Sequence, residues 1–500
     1  MNFLNGLKKI YKKCIDVLKS KKIFYAVVIL ICLSNAVFMF DNAIWGDEGF
    51  SIVLARKSIG EILSGTAADV HPPLYYLILK IMVGILGESV FVLHLTSYLA
   101  FLGVCILIMT FICKEFGVIS AYLAIFLTGW TEYGFIYNVE IRMYSMALLF
   151  ITLTFCMAYK VINDGKLKNW FLLSVFALLS GYTHYFALLA VAFIVLGVFV
   201  ICLVKKQKEV WKKIGITTAL CVIGYLPWLV AMVTTVERTM DNFWLQSIPT
   251  FEECIDMFFG DMNYSHKLFL MLLLLLAAYV LVNIWDVIKG KNSLKDKFCY
   301  ILYQDVKVQM AVLGIWTFLG TVLMGIIVST YIRPVLLTRY LFPMVILGAV
   351  SLGGLLHYFI DGNRIRHLGL LTSVVLIIVV TKSGLDSYQE RLQTFMDRKQ
   401  KTNISLAELD GFAERGYAVL SNIDHFNWTV LEYYYPDNFK DYYKVELDEI
   451  NKAVILFEQQ LTEEKMQELG NGRCTVVFLN QGQIDATEYY LYCCEAKIGY

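Results

Sequence analysis

Long apolar segments separated by short polar links dominate the chain between residues 24 and 381. A helix needs roughly 20 predominantly apolar residues to cross the hydrocarbon core of a bilayer, and several of these segments reach that length. The pattern predicts an all-α polytopic membrane protein, with about 11 spans in a transmembrane domain at residues 23–381.

One apolar run, Leu74–Leu86, is too short to be a span. At ~1.5 Å per residue it covers only about 20 Å of a ~30 Å hydrocarbon core. If this run crossed, every later loop would change sides and the lysine-rich links would face outward, against the positive-inside rule. It is therefore predicted to be a re-entrant or interfacial helix within a long first outer loop at residues 41–91.

The placement of lysines predicts the orientation in the membrane. Residues 1–22 contain seven lysines directly before the first apolar run, so this segment is predicted to be cytoplasmic. No small-residue cleavage site follows the run, which is interpreted as a retained first span rather than a removed signal peptide. The later lysine-rich links are predicted to be cytoplasmic as well, and the alternate links, which are acidic or mixed, to face outward.

The tail at residues 382–500 has a different pattern, because it is charged and rich in aromatic residues. Apolar runs at 418–423, 453–457 and 475–479 are typical of strands, and the segments 427–434 and 462–469 are typical of helices. The tail is therefore predicted to be a small α/β domain. An odd number of spans from a cytoplasmic start places this domain outside the membrane.

The composition excludes two classes of protein. With 58% hydrophobic and only 17% charged residues, the chain departs from the ~25% charged composition of soluble domains, so it is not a soluble cytosolic enzyme. Its 43 basic and 42 acidic residues leave a net charge of +1, and no polycationic surface is available for nucleic acid. Most of its 12 cysteines lie in apolar runs, and none has the spacing of a metal site.

Ionisable residues are scarce within the predicted spans, which argues against an ion-coupled transporter, because such proteins carry these groups near the bilayer centre. Polar side chains cluster instead in the links predicted to face outward. The first cluster contains Asp47 and Glu48, flanked by glycines shortly after the first span. It could aim one carboxylate into a cleft, or it could be a solvated loop with Asp47 as a helix N-cap.

Further outward clusters complete the candidate residues. They are Asp69 and His71; Glu140, Arg142 and Tyr144; His184 and Tyr185; and Arg333, Arg339 and Tyr340. Each cluster has a structural alternative, namely helix capping, ion pairing at the interface or anchoring of a helix end. The late arginines stand on an otherwise acidic side, and the phosphate of a lipid headgroup is the ligand that guanidinium groups suit best.

Taken in order, these clusters resemble the motifs of a known superfamily. The chain carries Asp-Glu at 47–48, His-Pro-Pro-Leu-Tyr-Tyr at 71–76, Glu-x-Arg-x-Tyr at 140–144, Thr-His-Tyr at 183–185 and Arg-Tyr at 339–340. It resembles the GT-C glycosyltransferases that use polyprenyl-phosphate sugars, in the branch that is dolichyl-phosphate-mannose-protein mannosyltransferase-like and aminoarabinose-transferase-like. One departure is His94, where relatives commonly carry an arginine.

The resemblance implies an inverting glycosyltransferase at the outer membrane face. Phosphate is already a good leaving group, so one carboxylate suffices: Asp47 would be the general base and Glu48 would orient the site. Arg333, Arg339 and Tyr340 would bind the donor phosphate. The other candidates would line the sugar and acceptor pocket; they are Asp69, His71, Glu140, Arg142, Tyr144, His184 and Tyr185.

The implied partners are a polyprenyl-phosphate-linked sugar donor, membrane lipid, and a cell-envelope glycan, lipid or protein as acceptor, with no nucleic acid. No cofactor is expected. A divalent cation could nevertheless be held by Asp47, Glu48, Asp69, His71 and Glu140. Two other functions stay open, a lipid-linked sugar flippase or transporter and a non-catalytic envelope protein.

Overall fold

The computed structural model describes most of the chain. The described residues are 20–69, 71–205, 210–240, 248–259, 267–268, 270–272, 274, 305–332, 334–360, 366–424, 426–446 and 450–497. Within them the protein is a helical bundle followed by a small domain built on a four-stranded sheet.

Helices form the bundle and the loops at its mouth. Those of the first half are Lys21–Ala36, Gly46–Arg56, Ile59–Ala67, Leu74–Leu86, Val90–Leu107, Val118–Gly129, Glu132–Tyr137, Tyr144–Asp164, Leu167–Thr183 and Tyr185–Val204. They are followed by Val210–Met240, Phe251–Phe259, Val306–Tyr331, the 3-10 helix Thr338–Met344, Val345–Ile360 and Arg366–Glu414.

Eight helices among the described residues are long and apolar enough to cross a membrane. The apolar helices Leu74–Leu86 and Val118–Gly129 are shorter, and Leu167–Thr183 has 17 residues. The structure confirms the predicted helical membrane fold. The total of about 11 spans stays a prediction, because residues 275–304 lie outside the described part of the chain.

The segment 41–91, which the sequence predicts to be the first outer loop, is largely helical. The predicted short helix is present as Leu74–Leu86, a 13-residue element. Lys80 within it donates to the carbonyl oxygens of Ala55 and Lys57 at 3.2 and 2.7 Å, and so anchors this helix to the end of Gly46–Arg56. These are the last carbonyls of a helix, which lack partners within it and attract a cation.

Small residues allow the helices of the bundle to approach closely. A Cβ atom at Gly353 would overlap the backbone of Ser120, and one at Gly314 would overlap the backbone of Leu347. Helices in a membrane gain little from hydrophobic burial against each other, so contact at short range supplies much of their association energy. Large aromatic residues fill the spaces between the helices elsewhere, among them Phe24, Tyr75, Tyr144 and Phe155, all 2% exposed or less.

The last bundle helix, Arg366–Glu414, has 49 residues and leads directly into the C-terminal domain. The predicted boundary between residues 381 and 382 falls inside this helix. The predicted strands are present as β1 (Ala418–Ser421), β2 (Lys452–Phe457) and β3 (Cys474–Ile484).

A fourth strand, β4 (Thr487–Ala496), was not predicted from the sequence. It lies between β2 and β3 in the order β1-β2-β4-β3 and pairs antiparallel with both, while β1 and β2 are parallel. Its Tyr-rich stretch carries no long apolar run, so the pattern gave no strand signal there. The sheet buries Val454 and Leu456 on one face and Ala453 and Ile455 on the other.

The C-terminal domain packs on the helix that carries Asp47 and Glu48. Arg56 at the end of that helix donates to the carbonyl oxygens of Glu432 and Tyr433 at 3.1 and 3.2 Å. The Tyr434 hydroxyl lies between the amide of Ile44, at 3.1 Å, and the carbonyl of Asn42. The domain therefore contacts the helix at both ends.

We expect Gly49→Ala to loosen this contact. A Cβ atom at Gly49 would lie 2.9 Å from the carbonyl carbon of Thr429, which is backbone and cannot rotate away. Overpacking of this kind costs about 1–3 kcal/mol. Gly60→Ala is the matched control, because Gly60 is also helical and has no atom within 4 Å of such a Cβ. Thermal unfolding of the purified proteins should show a lower midpoint temperature for Gly49→Ala only. Equal midpoints for wild type and Gly49→Ala would contradict the close contact between Gly49 and the Thr429 backbone.

Candidate active site

Asp47 lies in the first turn of the helix Gly46–Arg56, at the mouth of the bundle. Its Oδ2 atom is 3.2 Å from Nη1 of Arg339 and 3.9 Å from Nη2 of Arg142. The Asp47 side chain keeps 34% of its surface exposed, whereas the side chain of Arg142 is 3% exposed. The carboxylate is thus held between two guanidinium groups and is still accessible.

Arg142 is the buried anchor of this arrangement. Its Nη1 atom donates to the carbonyl oxygen of Asp47 at 3.2 Å, and to the hydroxyls of Ser51 and Tyr76 at 3.3 Å each. It therefore joins the turn before Tyr144–Asp164 to two helices of the segment 41–91. A buried guanidinium needs such partners, since its charge cannot be removed by deprotonation.

Arg339 enters from the opposite end of the sequence, in the 3-10 helix Thr338–Met344. Its guanidinium carbon lies 5.7 Å from the ring of Trp45 and 5.8 Å from the ring of Tyr340, within the range of cation–π attraction. Trp45 lies two residues before Asp47 in the sequence, and no role was predicted for it. Arg333, the other predicted phosphate ligand, lies outside the described residues.

Two histidines and two tyrosines form a buried cluster beside the arginines. The ring of Tyr340 is 4.7 Å from that of His184 and 5.8 Å from that of His71, and the two histidine rings are 5.4 Å apart. Tyr144 completes the cluster at 6.0 Å from His184. The structure thus brings together residues from four sequence clusters that are far apart in the chain.

Both histidines are neutral at physiological pH. Burial, together with the positive charges of Arg142 and Arg339, lowers the pKa of His184 to about 3. Burial and the Arg142 guanidinium likewise lower the pKa of His71 well below its usual value. His184 caps the helix Tyr185–Val204 by accepting from the amide of Phe186 through Nδ1, at 3.1 Å, so its proton is on Nε2. These rings can offer hydrogen bonds but carry no charge.

Glu48 points away from Asp47, because consecutive helical residues differ by about 100° in direction. It is 5% exposed, and its Oε1 accepts from the amide of Ile141 at 2.9 Å and lies 3.9 Å from Nδ1 of His94. Burial raises the pKa of Glu48. Glu48 holds the turn that carries Glu140 and Arg142. Its orienting role in the reaction stays a prediction.

Two predicted residues lie at the edge of this arrangement. The hydroxyl of Tyr185 accepts from the indole nitrogen of Trp228 at 3.3 Å, on the side of the helix Val210–Met240. Asp69 is partly buried after the helix Ile59–Ala67, near enough to Arg142 and Tyr340 for its charge to affect them.

A charged chamber of about 260 Å³ is lined by Arg339, by the last bundle helix and by Asp485 of the C-terminal domain. Its lining includes predicted residues and ionisable residues that sequence reasoning missed. The lining charged and ionisable groups are Asp41, Glu48, His94, Glu140, Arg339, Arg391, Arg398 and Asp485.

Arg391 and Arg398 were missed because the sequence analysis ended the last span at residue 381. A signal was nevertheless present, since Arg391, Phe395 and Arg398 are spaced four and three residues apart and share one helix face. Arg398 bridges Asp41 and Asp485 at 2.8 and 3.0 Å, which connects the first outer loop to the β3–β4 hairpin.

An apolar groove of about 510 Å³ opens between the helices Leu167–Thr183, Tyr185–Val204 and Val210–Met240. Its lining is almost entirely aliphatic and aromatic, and it includes Tyr225 and Leu229. These two residues flank Trp228, the hydrogen-bond partner of Tyr185. Tyr185 is in turn the sequence neighbour of His184 in the histidine and tyrosine cluster.

No three His, Cys, Asp or Glu side chains in the described part of the chain form a group that could hold a metal ion. The candidate cation ligands are divided: Asp47 pairs with Arg339, and Glu48 and Glu140 face the chamber. A role for a divalent cation stays a prediction.

Comparison with solved structures identifies the fold. ArnT from Cupriavidus metallidurans in the apo state matches with a TM-score of 0.56 and 12% sequence identity, over 94% of this chain and 97% of that chain. The same protein bound to undecaprenyl phosphate matches with a TM-score of 0.55 and 10% identity, over the same shares of the two chains. This chain has the fold of ArnT. No protein-family profile and no curated protein sequence matches it.

The ArnT fold confirms the architecture that the resemblance to the aminoarabinose-transferase-like branch implied. It extends over both the helical bundle and the C-terminal sheet domain, since 94% of the chain is covered. At 12% identity the likeness concerns the fold, and the roles of individual residues must come from this chain's own geometry.

We expect Glu140→Gln to flatten the dependence of stability on pH. Burial and the nearby Glu48 carboxylate raise the pKa of Glu140 from its ordinary value of 4.5 to about 8. Between these values the folded protein holds a proton that the unfolded chain has released. Stability therefore falls as the pH rises from about 5 to 8, by up to ~1.4 kcal/mol per pH unit for this group.

Apparent melting temperatures measured from pH 5 to pH 9 in detergent test this expectation. The variant should show the smaller decline. Glu390→Gln is the control, because Glu390 is exposed on the helix Arg366–Glu414. Parallel profiles for wild type and Glu140→Gln would show that Glu140 is not protonated in the folded protein.

Proposed function

We propose that the protein is an integral membrane glycosyltransferase, which moves a sugar from a polyprenyl-phosphate donor to an acceptor at the outer face of the membrane, with inversion. The observation that carries this proposal is the accessible Asp47 carboxylate, 3.2 Å from the Arg339 guanidinium at the mouth of the bundle. The ArnT fold supports it, since one ArnT structure was determined with undecaprenyl phosphate bound.

The donor would bind with its phosphate on Arg339 and its isoprenoid chain in the apolar groove. A guanidinium offers paired donors to phosphate oxygens, and the cation–π contacts of Arg339 keep it in place. A groove lined by apolar side chains between membrane helices suits a hydrocarbon tail. Tyr340 would support the phosphate from beside Arg339, and Arg333 is proposed as a further ligand on sequence grounds.

In the reaction, the acceptor hydroxyl or amine attacks the anomeric carbon from the face opposite the phosphate. The new bond to the anomeric carbon forms as the bond from that carbon to the phosphate oxygen breaks, and its electron pair leaves with the lipid phosphate. Asp47 takes the proton of the attacking group. Arg339 stabilises the charge that grows on the phosphate, a preorganised interaction worth a few kcal/mol.

The ion pair between Asp47 and Arg339 couples donor binding to base catalysis. A donor phosphate on Arg339 would compete with Asp47 for the same guanidinium, because both are anions within reach of its nitrogens. Displacement of Asp47 would then free the carboxylate as a base only when the donor is present. Arg142 would hold the backbone of Asp47 in position throughout, since it bonds to the Asp47 carbonyl rather than to the donor.

The neutral cluster would recognise the sugar. His71, His184 and Tyr144 present rings and hydrogen-bonding groups without charge, and Nε2 of His184 and the Tyr144 hydroxyl have no hydrogen-bond partner within the described residues. Hydroxyl groups of a sugar are suitable partners for such atoms. Tyr185 and Asp69 would border this pocket, and Glu140 would face the acceptor.

The remaining expectations are part of the proposal. The protein would act in the cell membrane, with a cytoplasmic N-terminus and an extracytoplasmic C-terminal domain, on an acceptor from the cell envelope. The flippase alternative predicts lipid translocation without transfer, and the non-catalytic alternative predicts that Asp47 can be replaced without effect.

We expect Asp47→Asn to abolish transfer. The change preserves shape but removes the base, and general base catalysis contributes about 100-fold to 10,000-fold. The measurement is transfer of radiolabelled sugar from membrane polyprenyl phosphate to cell-envelope material at equal expression. Asp386→Asn is the matched control, because Asp386 is 59% exposed in a surface ion pair with Lys382.

The same assay with a chelator tests the cation. Loss of transfer with chelator would assign a divalent ion to the site. Equal transfer rates with and without chelator would indicate that the arginines neutralise the charge of the donor phosphate. Undiminished transfer by Asp47→Asn would remove Asp47 as the base. No transfer by wild type across a panel of donors would favour the flippase or non-catalytic alternatives.

We expect Arg339→Gln to weaken both donor binding and turnover. Removing one electrostatic stabiliser of this kind lowers kcat by roughly 100-fold to 1,000-fold, and loss of a phosphate ligand also raises the KM for the donor. Arg339→Lys should recover part of the rate, because it restores the charge but not the paired donors. An unchanged donor KM in Arg339→Gln would place the phosphate elsewhere.

A further inference from the structure

His94 lies near the start of the helix Val90–Leu107 and is 3% exposed. Its Nδ1 atom is 2.9 Å from the backbone carbonyl oxygen of Val139, and its Nε2 atom is 2.9 Å from the backbone carbonyl oxygen of Asp41. A carbonyl oxygen can accept a hydrogen bond but cannot donate one. Both ring nitrogens of His94 therefore face acceptors.

This geometry favours a charged ring. A neutral imidazole has one N–H group and one bare nitrogen, so either tautomer would direct a lone pair at a carbonyl oxygen. An imidazolium has two N–H groups and donates to both oxygens. A half-turn of the ring would place carbon atoms at both positions and lose both hydrogen bonds. Because a buried polar group without its hydrogen bond is costly, the doubly protonated form of His94 suits these surroundings best.

The acidic groups near His94 also favour a positive charge on it. Arg398 is shared between Asp41 and Asp485, so one guanidinium faces two carboxylates. Oε1 of Glu48 lies 3.9 Å from Nδ1 of His94, and among the described residues His94 is the ion-pair partner of Glu48. Burial raises the pKa of Glu48, and a positive charge on His94 acts in the opposite direction. An imidazolium would thus stabilise the ionised form of this buried carboxyl group.

The two carbonyl oxygens belong to segments that hold the candidate base. Asp41 begins the link to the helix Gly46–Arg56, and Val139 begins the turn that carries Glu140 and Arg142. Ser97, one helical turn after His94, donates to the carbonyl oxygen of Arg142 at 3.1 Å. The helix Val90–Leu107 therefore holds this turn at two points.

The turn in turn fixes Asp47, because Nη1 of Arg142 donates to the carbonyl oxygen of Asp47 at 3.2 Å. His94 thus reaches Asp47 by two routes, through the link that starts at Asp41 and through Arg142. A shift of either segment would move the Asp47 carboxylate relative to the guanidinium of Arg339, which is 3.2 Å away.

We propose that His94 is a positioning residue that acts as a buried imidazolium. It holds the carbonyl oxygens of Asp41 and Val139 from opposite sides of its ring, and so keeps the Asp47 carboxylate in place for base catalysis. Its charge also balances the carboxylate of Glu48. The catalytic part of this inference rests on the proposed function, since it takes Asp47 as the base, whereas the charge of His94 does not depend on that function.

Nitrogen NMR of the full-length protein in lipid nanodiscs tests the charge. The rings of the seven histidines are labelled with ¹⁵N, and the signals of His94 are assigned by their loss in His94→Gln or His94→Arg. An imidazolium has two protonated nitrogens with similar chemical shifts, whereas a neutral ring has one protonated and one bare nitrogen with different shifts. We expect the imidazolium pattern for His94 near neutral pH and the neutral pattern for His184, which is the internal comparison.

The spectrum of wild type alone can overturn the proposal. If it contains no imidazolium signal, His94 is neutral, and this conclusion requires no variant to fold. If the signals lost in His94→Gln are those of a neutral ring, in either tautomer, the proposal fails as well.

Transfer kinetics test the positioning role. His94→Gln removes the charge and one of the two opposed donors, so we expect kcat to fall roughly 10-fold to 100-fold through misplacement of Asp47, with the donor KM unchanged. His94→Arg has a permanent charge and several donors, and it should recover most of the lost rate. Thr96→Val is the matched control, because Thr96 is 3% exposed on the same helix and its hydroxyl donates within that helix, to the carbonyl oxygen of Val92. This control should keep the kinetics of wild type.

The two measurements distinguish failure of this inference from failure of the proposed function. An unchanged kcat in His94→Gln would reject the positioning role, even with imidazolium signals. A loss of rate that His94→Arg does not recover, although both variants unfold at the temperature of wild type, would assign the loss to ring shape rather than charge and overturn the proposal. No transfer by wild type from any donor would reject the proposed function, while imidazolium signals would still support the charge of His94.

Discussion

The structure at the mouth of the bundle depends on the hydrogen bonds of the buried Arg142 guanidinium. Arg142 is 3% exposed and bonds to the Asp47 carbonyl, Ser51 and Tyr76, so one side chain joins two helices of the segment 41–91 to the turn before Tyr144. A permanent charge in such a place must be surrounded by acceptors, and this requirement fixes where the Asp47 helix can lie. Glu48 supports the same turn from beneath through the amide of Ile141.

The second constraint comes from the C-terminal domain, which is part of the site's architecture rather than an appendage. Arg398 joins Asp41 to Asp485, and Tyr434 and Gly49 bring the domain against the first outer loop at close range. The contact at Gly49 leaves no room for a side chain. The long helix Arg366–Glu414 makes this possible, because it continues from the bundle into the domain without interruption.

The charges of the site are divided by Arg339 into two environments. On one side the histidine and tyrosine rings are neutral, because burial and two guanidinium groups disfavour a further positive charge. On the other side acidic and basic groups surround a polar chamber. Asp47 lies at the junction, 3.2 Å from the Arg339 guanidinium.

The sequence by itself determined the helical membrane fold, the short helix Leu74–Leu86 and three of the four strands, because apolar run length and strand pattern are local signals. It also singled out Asp47, Arg142 and Arg339 as candidates, because charges at span ends are visible in the sequence. Only the tertiary structure decided which of these charges meet. Asp47 pairs with a residue near the end of the bundle, and His71 meets His184 and Tyr340 through helix packing. Arg391 lies on a helix that continues beyond its apolar segment. Asp485 lies in the turn before β4, a strand that the sequence pattern did not predict. Such contacts depend on the packing of distant segments, which no local pattern records.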